Sequence, residues 1–248
     1  MDLQQFFAEN PRLAIAFSGG VDSAYLLYAA LQHGAEARAY YVKSPFQPQF
    51  ELDDARRLAG ELGAELTVLP LDILTDAAVT ANPPNRCYHC KKRIFSTILQ
   101  AASVDSFRVL ADGTNASDEA SGRPGMRALA ELSVRSPLRE CGLTKDEIRK
   151  LSRRAGLFTW NKPAYACLAT RIPSGEPITA EKLQKTEAAE RTLSAFGLAD
   201  FRVRLTGGAA KIQVRAEQLP LVLSQREAII NALKPYYQAV LLDLEVRG

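Results

Sequence analysis

Residues 13–23, Leu-Ala-Ile-Ala-Phe-Ser-Gly-Gly-Val-Asp-Ser, decide the fold of this chain. The apolar run 13–17 predicts a short buried strand, and the residues from Ala24 to Leu31 predict a helix. Glycine permits the sharp turn between them and the close approach of a ligand to the backbone. Backbone N–H groups and the positive end of the helix dipole then point at negative charge, so the stretch predicts an anion site. The alternative is an ordinary Gly-Gly turn.

The hexapeptide from Ser18 to Ser23 resembles the PP-loop, the pyrophosphate-binding loop of ATP pyrophosphatases that adenylate a substrate. It is not a Walker A loop, because no Gly-Lys-Ser/Thr follows the glycines. The resemblance implies that these residues bind ATP: Ser18, Gly19, Gly20, Asp22 and Ser23. Asp22 is unexpected in a phosphate cradle unless a metal ion accompanies the phosphates.

The composition indicates a globular enzyme with a large core. The chain has 248 residues, enough for two domains, and its formal net charge of +3 gives no strong electrostatic case for nucleic acid or membrane. No apolar run reaches the roughly 18 residues that span a bilayer, and the N-terminus lacks the pattern of a signal peptide. We therefore expect a cytoplasmic protein whose four cysteines are thiols, metal ligands or reactive groups rather than disulfides.

Strands and helices alternate along the first part of the chain. The pattern predicts strands at about 13–17, 37–42, 65–69 and 107–111, and helices at about 22–33, 49–62 and 88–101. This alternation predicts an α/β fold with a doubly wound, mostly parallel sheet. Ligands bind such sheets at the carboxyl ends of the strands, which is where the glycine loop lies.

The pattern changes near residue 175. A helix at about 179–196, a hairpin of strands 201–205 and 211–215, a helix at about 218–233 and a strand at about 239–246 predict a smaller α/β unit. We predict a PP-loop domain over residues 1–175 and a C-terminal domain for substrate binding or oligomerisation over residues 176–248.

A second loop, Asp-Gly-Thr-Asn-Ala-Ser-Asp at 112–118, follows the strand at 107–111. Its residues are turn formers, and Asp118 with Glu119 could hold a cation. The alternative is a helix start capped by Ser117 or Asn115. The loop resembles the Gly-Thr-Asn loop of PP-loop enzymes, which borders the nucleotide. That resemblance implies ATP contacts from a further set of residues: Gly113, Thr114, Asn115 and Asp118.

The cysteines suggest metal or redox chemistry. Cys87 and Cys90 form a Cys-x-x-Cys pair that could ligate zinc or an iron–sulfur cluster, act as a redox pair, or be two unrelated thiols. A four-cysteine zinc site would also need Cys141 and Cys167. Cys141 is predicted to fill space as a small apolar residue. Cys167 lies four residues before Arg171, whose charge would favour a thiolate, unless Cys167 is a buried small side chain.

Over essentially its whole length the chain resembles the LarE family, ATP-dependent sulfur transferases that help make the nickel-pincer nucleotide cofactor of lactate racemase. The likeness rests on the PP-loop and on these segments: 82–92, 112–115, 124–127, 136–138, 166–171 and 201–204. Many enzymes share a PP-loop. The Arg-Cys-Tyr-x-Cys-Lys segment at 86–91, combined with Ala-Cys-Leu at 166–168, is more specific.

The resemblance implies a reaction in two stages. ATP adenylates a carboxylate of a pyridinium dicarboxylate mononucleotide and releases pyrophosphate. A sulfur nucleophile then displaces AMP and leaves a thiocarboxylate. Mg²⁺ would neutralise the phosphates, and Asp22 and Asp118 would help to hold the ion.

The sulfur source differs within the family. Some members give up the sulfur of one cysteine, which becomes dehydroalanine. Others hold a 4Fe-4S cluster on three cysteines, and its open iron can bind a sulfide. The resemblance implies such a cluster on Cys87, Cys90 and Cys167, with Cys167 also as the catalytic residue. A sacrificial Cys167 is the alternative.

Arg202 and Arg204 are candidates for binding the substrate, because residues two apart face the same side of a strand. Two guanidinium groups suit a phosphate or carboxylates, and the alternative is a pair of solvent-exposed charges. Arg171 and Glu190 are weaker substrate-binding candidates. Glu190 could instead be a helix surface residue.

Other functions remain open at this point. A PP-loop tRNA thiolase is disfavoured by the small net charge and the lack of a basic RNA-binding module. An amide-forming ligase would need no cysteine trio, and a non-catalytic metal- or nucleotide-binding protein is a different class. We expect a small-molecule nucleotide substrate, a sulfide donor and a homo-oligomer, and neither nucleic acid nor a membrane as a partner.

Overall fold

The computed structural model describes residues 1–118 and 124–247. Glu119, predicted with Asp118 as a cation ligand, lies outside the described residues. Internal packing divides the chain into two compact units. The N-terminal unit comprises Met1–Ile73 and Asn85–Lys162, and the C-terminal unit comprises Leu74–Pro84 and Pro163–Gly248. The domain boundary after residue 175 stays a prediction.

Strands are separated by one or two helices as far as β4, and the order is less regular after it. The strands are β1 (Arg12–Ala16), β2 (Glu36–Lys43), β3 (Leu66–Pro70), β4 (Leu110–Ala111), β5 (Arg202–Thr206), β6 (Ala209–Gln213) and β7 (Val240–Leu242). The helices are α1 (Leu3–Glu9), α2 (Val21–Gln32), α3 (Gln49–Leu62), α4 (Ala77–Thr80), α5 (Arg86–Val104), α6 (Pro124–Glu131), α7 (Pro137–Glu140), α8 (Lys145–Arg154), α9 (Ala180–Ala195), α10 (Leu219–Ser224) and α11 (Arg226–Leu233).

The N-terminal unit is built on a four-stranded parallel sheet in the order β3-β2-β1-β4. Successive residues of β1 enter opposite cores: Leu13 and Ile15 pack with α1, α2, α3 and α8, whereas Ala14 packs with α5 and α6. Because both faces of the sheet are covered, the middle of each central strand is apolar, over residues 13–16 in β1 and 39–42 in β2. The predicted α/β fold with a mostly parallel sheet is confirmed.

The predicted strand at 107–111 is shorter than expected, because only Leu110 and Ala111 pair with β1. The residues before them complete the end of α5. Ser106 has a φ of +62°, and the Phe107 N–H donates to the Ala102 carbonyl at 2.8 Å. The chain therefore enters the sheet only after it has closed the helix.

The C-terminal unit contains a three-stranded sheet in the order β5-β6-β7. Strands β5 and β6 form the predicted antiparallel hairpin, and β7 pairs with β6 in parallel. The single helix predicted at about 218–233 is wrong, since α10 and α11 are separated at Gln225. The Gln225 backbone leaves the helical range, with φ −104° and ψ 15°, and its side chain donates to the Phe196 carbonyl at 3.3 Å.

Within the described residues, the helices are all too short or too polar to cross a membrane.

Candidate active site

The predicted strand, glycine loop and helix are present in the order β1, 17–20, α2. Gly19 has a φ of +70°, and a Cβ there would lie 3.2 Å from the backbone of Ala55 in α3. Glycine is therefore required for both the turn and the close packing. Gly20 is the N-cap of α2 and has no side chain with which to cap it. The helix start thus has the geometry of an anion site.

Two serine hydroxyls hold the shape of the loop. The Oγ atoms of Ser18 and Ser23 lie 3.1 Å apart, and the Ser18 N–H donates to Ser23 Oγ at 3.2 Å. The Gly20 N–H donates to Ser18 Oγ at 3.3 Å. Ser23 is buried and Ser18 is exposed, so a ligand at the loop can reach the Ser18 hydroxyl while Ser23 supports it from below.

The second loop lies directly against the start of α2. A Cβ on Gly113 would come within 2.8 Å of the Ser23 nitrogen and 3.2 Å of the Asp22 backbone. This approach is too close for any side chain. The two loops, about 90 residues apart in the sequence, are therefore neighbours at the carboxyl ends of β1 and β4.

A buried carboxylate supports the second loop. Asp112 accepts hydrogen bonds from Thr114 Oγ1 at 2.5 Å and from Ser136 Oγ at 2.7 Å. It also accepts one from the Thr114 N–H at 3.3 Å. The Thr114 hydroxyl is thus committed to the shape of the loop, and Asp112 is a supporting residue whose sequence pattern indicated only a turn.

Asn115 connects the two acidic candidates. Its Nδ2 donates to Asp22 Oδ1 at 3.3 Å, and its N–H donates to Asp118 Oδ2 at 3.0 Å. The side chain is 3% exposed, so this arrangement is fixed by packing. Asp22 and Asp118 are therefore both hydrogen-bonded to one residue.

Two carboxylates beside a phosphate site fit Mg²⁺, which commonly takes one or two protein carboxylates and completes its shell with water and substrate phosphates. Among residues 1–118 and 124–247, there is no cluster of three or more His, Cys, Asp or Glu side chains suited to a metal ion. Lys145 Nζ lies 2.5 Å from Asp22 Oδ2. This ammonium group and a metal ion would compete for the same carboxylate oxygen.

Lys145 and Lys162 at the glycine loop were missed by the sequence reasoning. Lys162 Nζ lies 2.6 Å from Asp54 Oδ2 and donates to the Gly19 carbonyl at 3.4 Å. Lys145 is separated from Asp22 by 123 residues, and Lys162 from Gly19 by 143. No local pattern marks such residues.

The Cys-x-x-Cys pair lies in the first turns of α5. Cys87 is exposed and Cys90 is half-buried. The Arg86 guanidinium lies 3.8 Å from Cys87 Sγ, and the neighbouring His89 ring faces Asn85 at 3.2 Å. Cys87 and Cys90 belong to the N-terminal unit, whereas Cys167 belongs to the C-terminal unit, so the predicted trio draws on both.

Cys141 packs against the core of the N-terminal unit. Burial raises the pKa of its thiol above the ordinary value. A raised pKa keeps the group a neutral thiol, which suits the predicted space-filling role.

The Cys167 segment is held by Arg171. Cys167 is half-buried and immediately precedes a 3-10 turn at Leu168–Arg171. The Arg171 guanidinium donates to the Ala166 carbonyl at 2.9 Å and to Thr170 Oγ1 at 2.7 Å. Thr170 Oγ1 in turn donates to the Cys167 carbonyl at 2.8 Å. These bonds fix the backbone on both sides of the cysteine.

Glu190 is a buried acceptor, so the interpretation of it as a helix surface residue is wrong. It accepts from Arg171 Nε at 2.8 Å, from Tyr165 Oη at 2.5 Å and from the Val203 N–H at 3.0 Å. The Arg171 side chain is fully buried. A buried ion pair persists only when further hydrogen bonds satisfy both partners, as they do here.

Arg202 and Arg204 both reach back to the segment that carries Cys167. Arg202 donates to the Ala164 carbonyl at 2.5 Å, and Arg204 donates to the Thr170 carbonyl at 2.7 Å. Arg202 is only 5% exposed, so the interpretation of it as a solvent-exposed charge is wrong. Burial lowers the pKa of both guanidinium groups, and the nearby charge of Arg171 lowers it further. The cluster is therefore electropositive and suited to an anion.

Tyr165 is a second residue that the sequence reasoning missed. The guanidinium carbons of Arg171 and Arg202 lie 4.7 and 5.1 Å from the centre of its ring. Arginine stacks favourably on an aromatic face. Tyr165 is two residues before Cys167, but a tyrosine there carries no recognisable signal until its arginine partners are known.

A parallel sheet with a glycine loop after β1, and a second loop against the start of α2, defines an α/β protein of the PP-loop class. No family model matches the chain. It is 39% identical to an uncharacterised protein of Synechocystis sp. over 219 aligned residues. These residues are 88% of this chain and 82% of that protein. The chain is 32% identical over 236 residues to the pyridinium-3,5-bisthiocarboxylic acid mononucleotide synthase of Lactiplantibacillus plantarum, covering 94% of this chain and 86% of the synthase.

A more distant similarity links the chain to tRNA-specific 2-thiouridylase of Thermotoga maritima. The two are 26% identical over 193 residues, which is 61% of this chain and 54% of the thiouridylase. The likeness to the synthase covers nearly the whole chain. The chain belongs to the LarE family of PP-loop sulfur transferases. The prediction of an ATP-dependent sulfur transferase is confirmed.

Proposed function

We propose that this protein adenylates a carboxylate of pyridinium-3,5-biscarboxylic acid mononucleotide, releases pyrophosphate and inserts sulfur to give a thiocarboxylate. The observation that carries the proposal is the 32% identity to the L. plantarum synthase over 94% of this chain. A carboxylate resists nucleophiles until one oxygen becomes a good leaving group. A mixed anhydride with AMP supplies that leaving group.

The nucleotide half of the reaction is proposed for the two glycine loops. The α2 start and the Ser18 hydroxyl bind the phosphates, since N–H groups and a positive dipole end favour anions there. Gly113 and Asn115 border the nucleotide, and Asp22 and Asp118 hold Mg²⁺. Neutralised phosphates make pyrophosphate a better leaving group when the substrate carboxylate attacks the α-phosphorus.

The acceptor half is proposed for the arginine cluster. Arg202 and Arg204 offer fixed guanidinium groups to the substrate's phosphate or second carboxylate. Arg171 and Glu190 have a positioning role, because their ion pair holds the Cys167 turn. The Tyr165 ring stacks with both Arg171 and Arg202 and so connects the substrate-binding arginine to that turn.

We propose that Cys87, Cys90 and Cys167 hold a 4Fe-4S cluster. The donor set fits, because thiolates are the ligands such clusters require, and the three sulfurs belong to exposed or half-buried residues. When bound, a cluster with three cysteine ligands supplies an iron to which a sulfide ion can attach. In the alternative, the Cys167 thiolate attacks the acyl adenylate and displaces AMP. Loss of the Cα proton with cleavage of the Cβ–Sγ bond then leaves dehydroalanine and releases the thiocarboxylate.

Metal and sulfide analysis tests the sulfur source. Anaerobically purified protein should contain about four irons and four labile sulfides per chain. Cys87→Ala, Cys90→Ala and Cys167→Ala should each lose the iron, and Cys141→Ala should keep it. Iron-free protein that loses about 34 Da at Cys167 after one turnover would instead establish the sacrificial mechanism.

Pyrophosphate release tests the reaction itself. The wild-type protein should release pyrophosphate from ATP only when the mononucleotide is present. Release stimulated by tRNA and not by the mononucleotide would overturn the proposal in favour of an RNA thiolase. A homo-oligomer and a sulfide donor stay predictions.

A further inference from the structure

The glycine loop is bordered by two ion pairs that the proposed reaction does not explain. Lys145 pairs with Asp22 at 2.5 Å, and Lys162 pairs with Asp54 at 2.6 Å. Asp22 is the second residue of α2, at the end that attracts anions. Asp54 precedes Ala55, the residue whose backbone lies against Gly19. Both lysines are thus already at the phosphate site, but each is neutralised by a carboxylate.

Helix α8 positions both lysines at the loop, Lys145 directly and Lys162 through a hydrogen bond to its backbone. Lys145 is its first residue, with Thr144 as the cap. One turn later, Arg149 donates to the Trp160 carbonyl at 2.7 Å and to the Lys162 carbonyl at 3.0 Å. The arginine therefore anchors the backbone from which the Lys162 side chain extends. Hydrogen bonds therefore hold the backbone near Lys162, and the ammonium groups of both lysines lie at the loop.

Both ion pairs are partly exposed to solvent. The side chains of Lys145 and Asp22 are 31% and 22% exposed, and those of Lys162 and Asp54 are 15% and 31% exposed. Solvent screens such pairs, and their contribution to folding is small. A phosphate chain brings several negative charges and competes strongly for both ammonium groups. The pairs are therefore easily exchanged.

We propose that Lys145 and Lys162 exchange partners when ATP binds. Lys145 leaves Asp22, Lys162 leaves Asp54, and both ammonium groups then bind the pyrophosphate portion of the nucleotide. The exchange also releases Asp22 Oδ2 from the Lys145 ammonium group, which makes that oxygen available to Mg²⁺. Before the nucleotide binds, Asp22 holds Lys145 at the start of α2, and Asp54 holds Lys162 beside the Gly19 carbonyl. This inference rests on the proposed use of ATP at this loop.

Calorimetric binding of Mg²⁺ with inorganic pyrophosphate, with ATP and with AMP tests the exchange. Lys162→Met and Lys145→Met should bind pyrophosphate and ATP roughly tenfold or more weakly, the scale of a lost charge-assisted hydrogen bond. AMP affinity should be unchanged. Lys150→Met is the matched control, because Lys150 is an exposed lysine of the same helix, and it should bind all three ligands like the wild type.

The Lys→Met variants would bind pyrophosphate more weakly whether the lysines exchange partners or only add positive charge. The Asp54→Asn variant distinguishes these two explanations. If Lys162 must leave Asp54, this variant should bind pyrophosphate more tightly, by up to about fivefold for a partly exposed pair. The gain should vanish in the Lys162→Met background, because the two substitutions act on one interaction.

The outcomes distinguish this inference from the proposed function. Wild-type protein that binds neither ATP nor pyrophosphate would contradict the proposed function itself. Wild-type binding with unchanged affinity in Lys162→Met would overturn the exchange alone. Equal weakening of AMP and pyrophosphate would also overturn it, since the lysines would then not act on the pyrophosphate portion.

Discussion

The two units of the molecule build their proposed anion sites in different ways. In the N-terminal unit, the glycine loops bring backbone close to backbone, with Gly19 against Ala55 and Gly113 against Ser23. In the C-terminal unit, buried arginines are arranged around Glu190 and Tyr165. The first site depends on the absence of side-chain atoms, and the second depends on buried guanidinium groups held by hydrogen bonds. The two sites should therefore fail in different ways when a single residue is changed.

The largest expected effect is the loss of the Glu190 carboxylate. Glu190→Ala leaves the Arg171 guanidinium buried without its counter-ion, which costs about 3–5 kcal/mol of unfolding free energy. Urea unfolding followed by fluorescence measures this loss. Glu181→Gln, which breaks an exposed pair with Lys185 on the same helix, should hardly move the midpoint. Equal effects from the two variants would contradict the assignment of a buried ion pair.

The second effect is a backbone clash in the N-terminal site. Gly113→Ala places a Cβ 2.8 Å from the Ser23 nitrogen, and overpacking of this kind costs about 1–3 kcal/mol. It should also weaken ATP binding, because the start of α2 must shift. Gly60→Ala is the control, since a Cβ there meets nothing within 4 Å in the described structure. It should stabilise α3 slightly, and an equal loss of ATP affinity in both variants would refute the close approach.

A smaller effect concerns the cap of α8. Thr144 Oγ1 accepts from the Glu147 N–H, and Glu147 accepts from the Thr144 N–H at 2.8 Å, which completes a capping box. Thr144→Ala should cost about 1 kcal/mol of unfolding free energy. Because the same turn carries Lys145, ATP affinity should fall modestly. Thr97→Ala, in the interior of α5, should leave both quantities near the wild-type values.

The smallest expected effect is a shift in titration. Hydrogen bonds from Thr144 hold the pKa of the Glu147 carboxyl below its ordinary value. A lowered folded-state pKa means that this contribution to stability is present above the unfolded-state pKa and is lost as the pH falls through the folded-state pKa. In an NMR titration, Thr144→Ala should raise the Glu147 pKa. The Glu181 pKa, lowered by Lys185, should not change, and a common shift would point to a global effect.

Much of the N-terminal site could be predicted because its requirements are local. A strand, two glycines and a helix in immediate succession specify an anion loop, and the turn formers after β4 specify a second loop. The predicted capping box at Thr144 is present for the same reason. Its whole pattern lies within four residues.

Residues that take their role from a distant partner could not be predicted from the sequence. The acidic and helical setting of Glu190 resembled a surface position, yet the residue is buried with Arg171 and the Val203 N–H. Lys145 and Lys162 were passed over because their carboxylate partners are far away in the chain. The single helix expected at 218–233 ends at Gln225, where a side-chain contact to Phe196 replaces the local pattern.

The sequence by itself determined the class of protein, because periodic apolar residues, glycine turns and a specific set of cysteines need no long-range information. It also determined which residue types are available for phosphate, metal and sulfur chemistry. Only the tertiary structure decided that Gly113 packs against the start of α2 and that carboxylates hold two lysines at the loop. It also decided that arginines form hydrogen bonds to the backbone of the Cys167 turn. Each of these depends on contacts between segments separated by tens of residues, and such contacts form only when the hydrophobic cores bring those segments together.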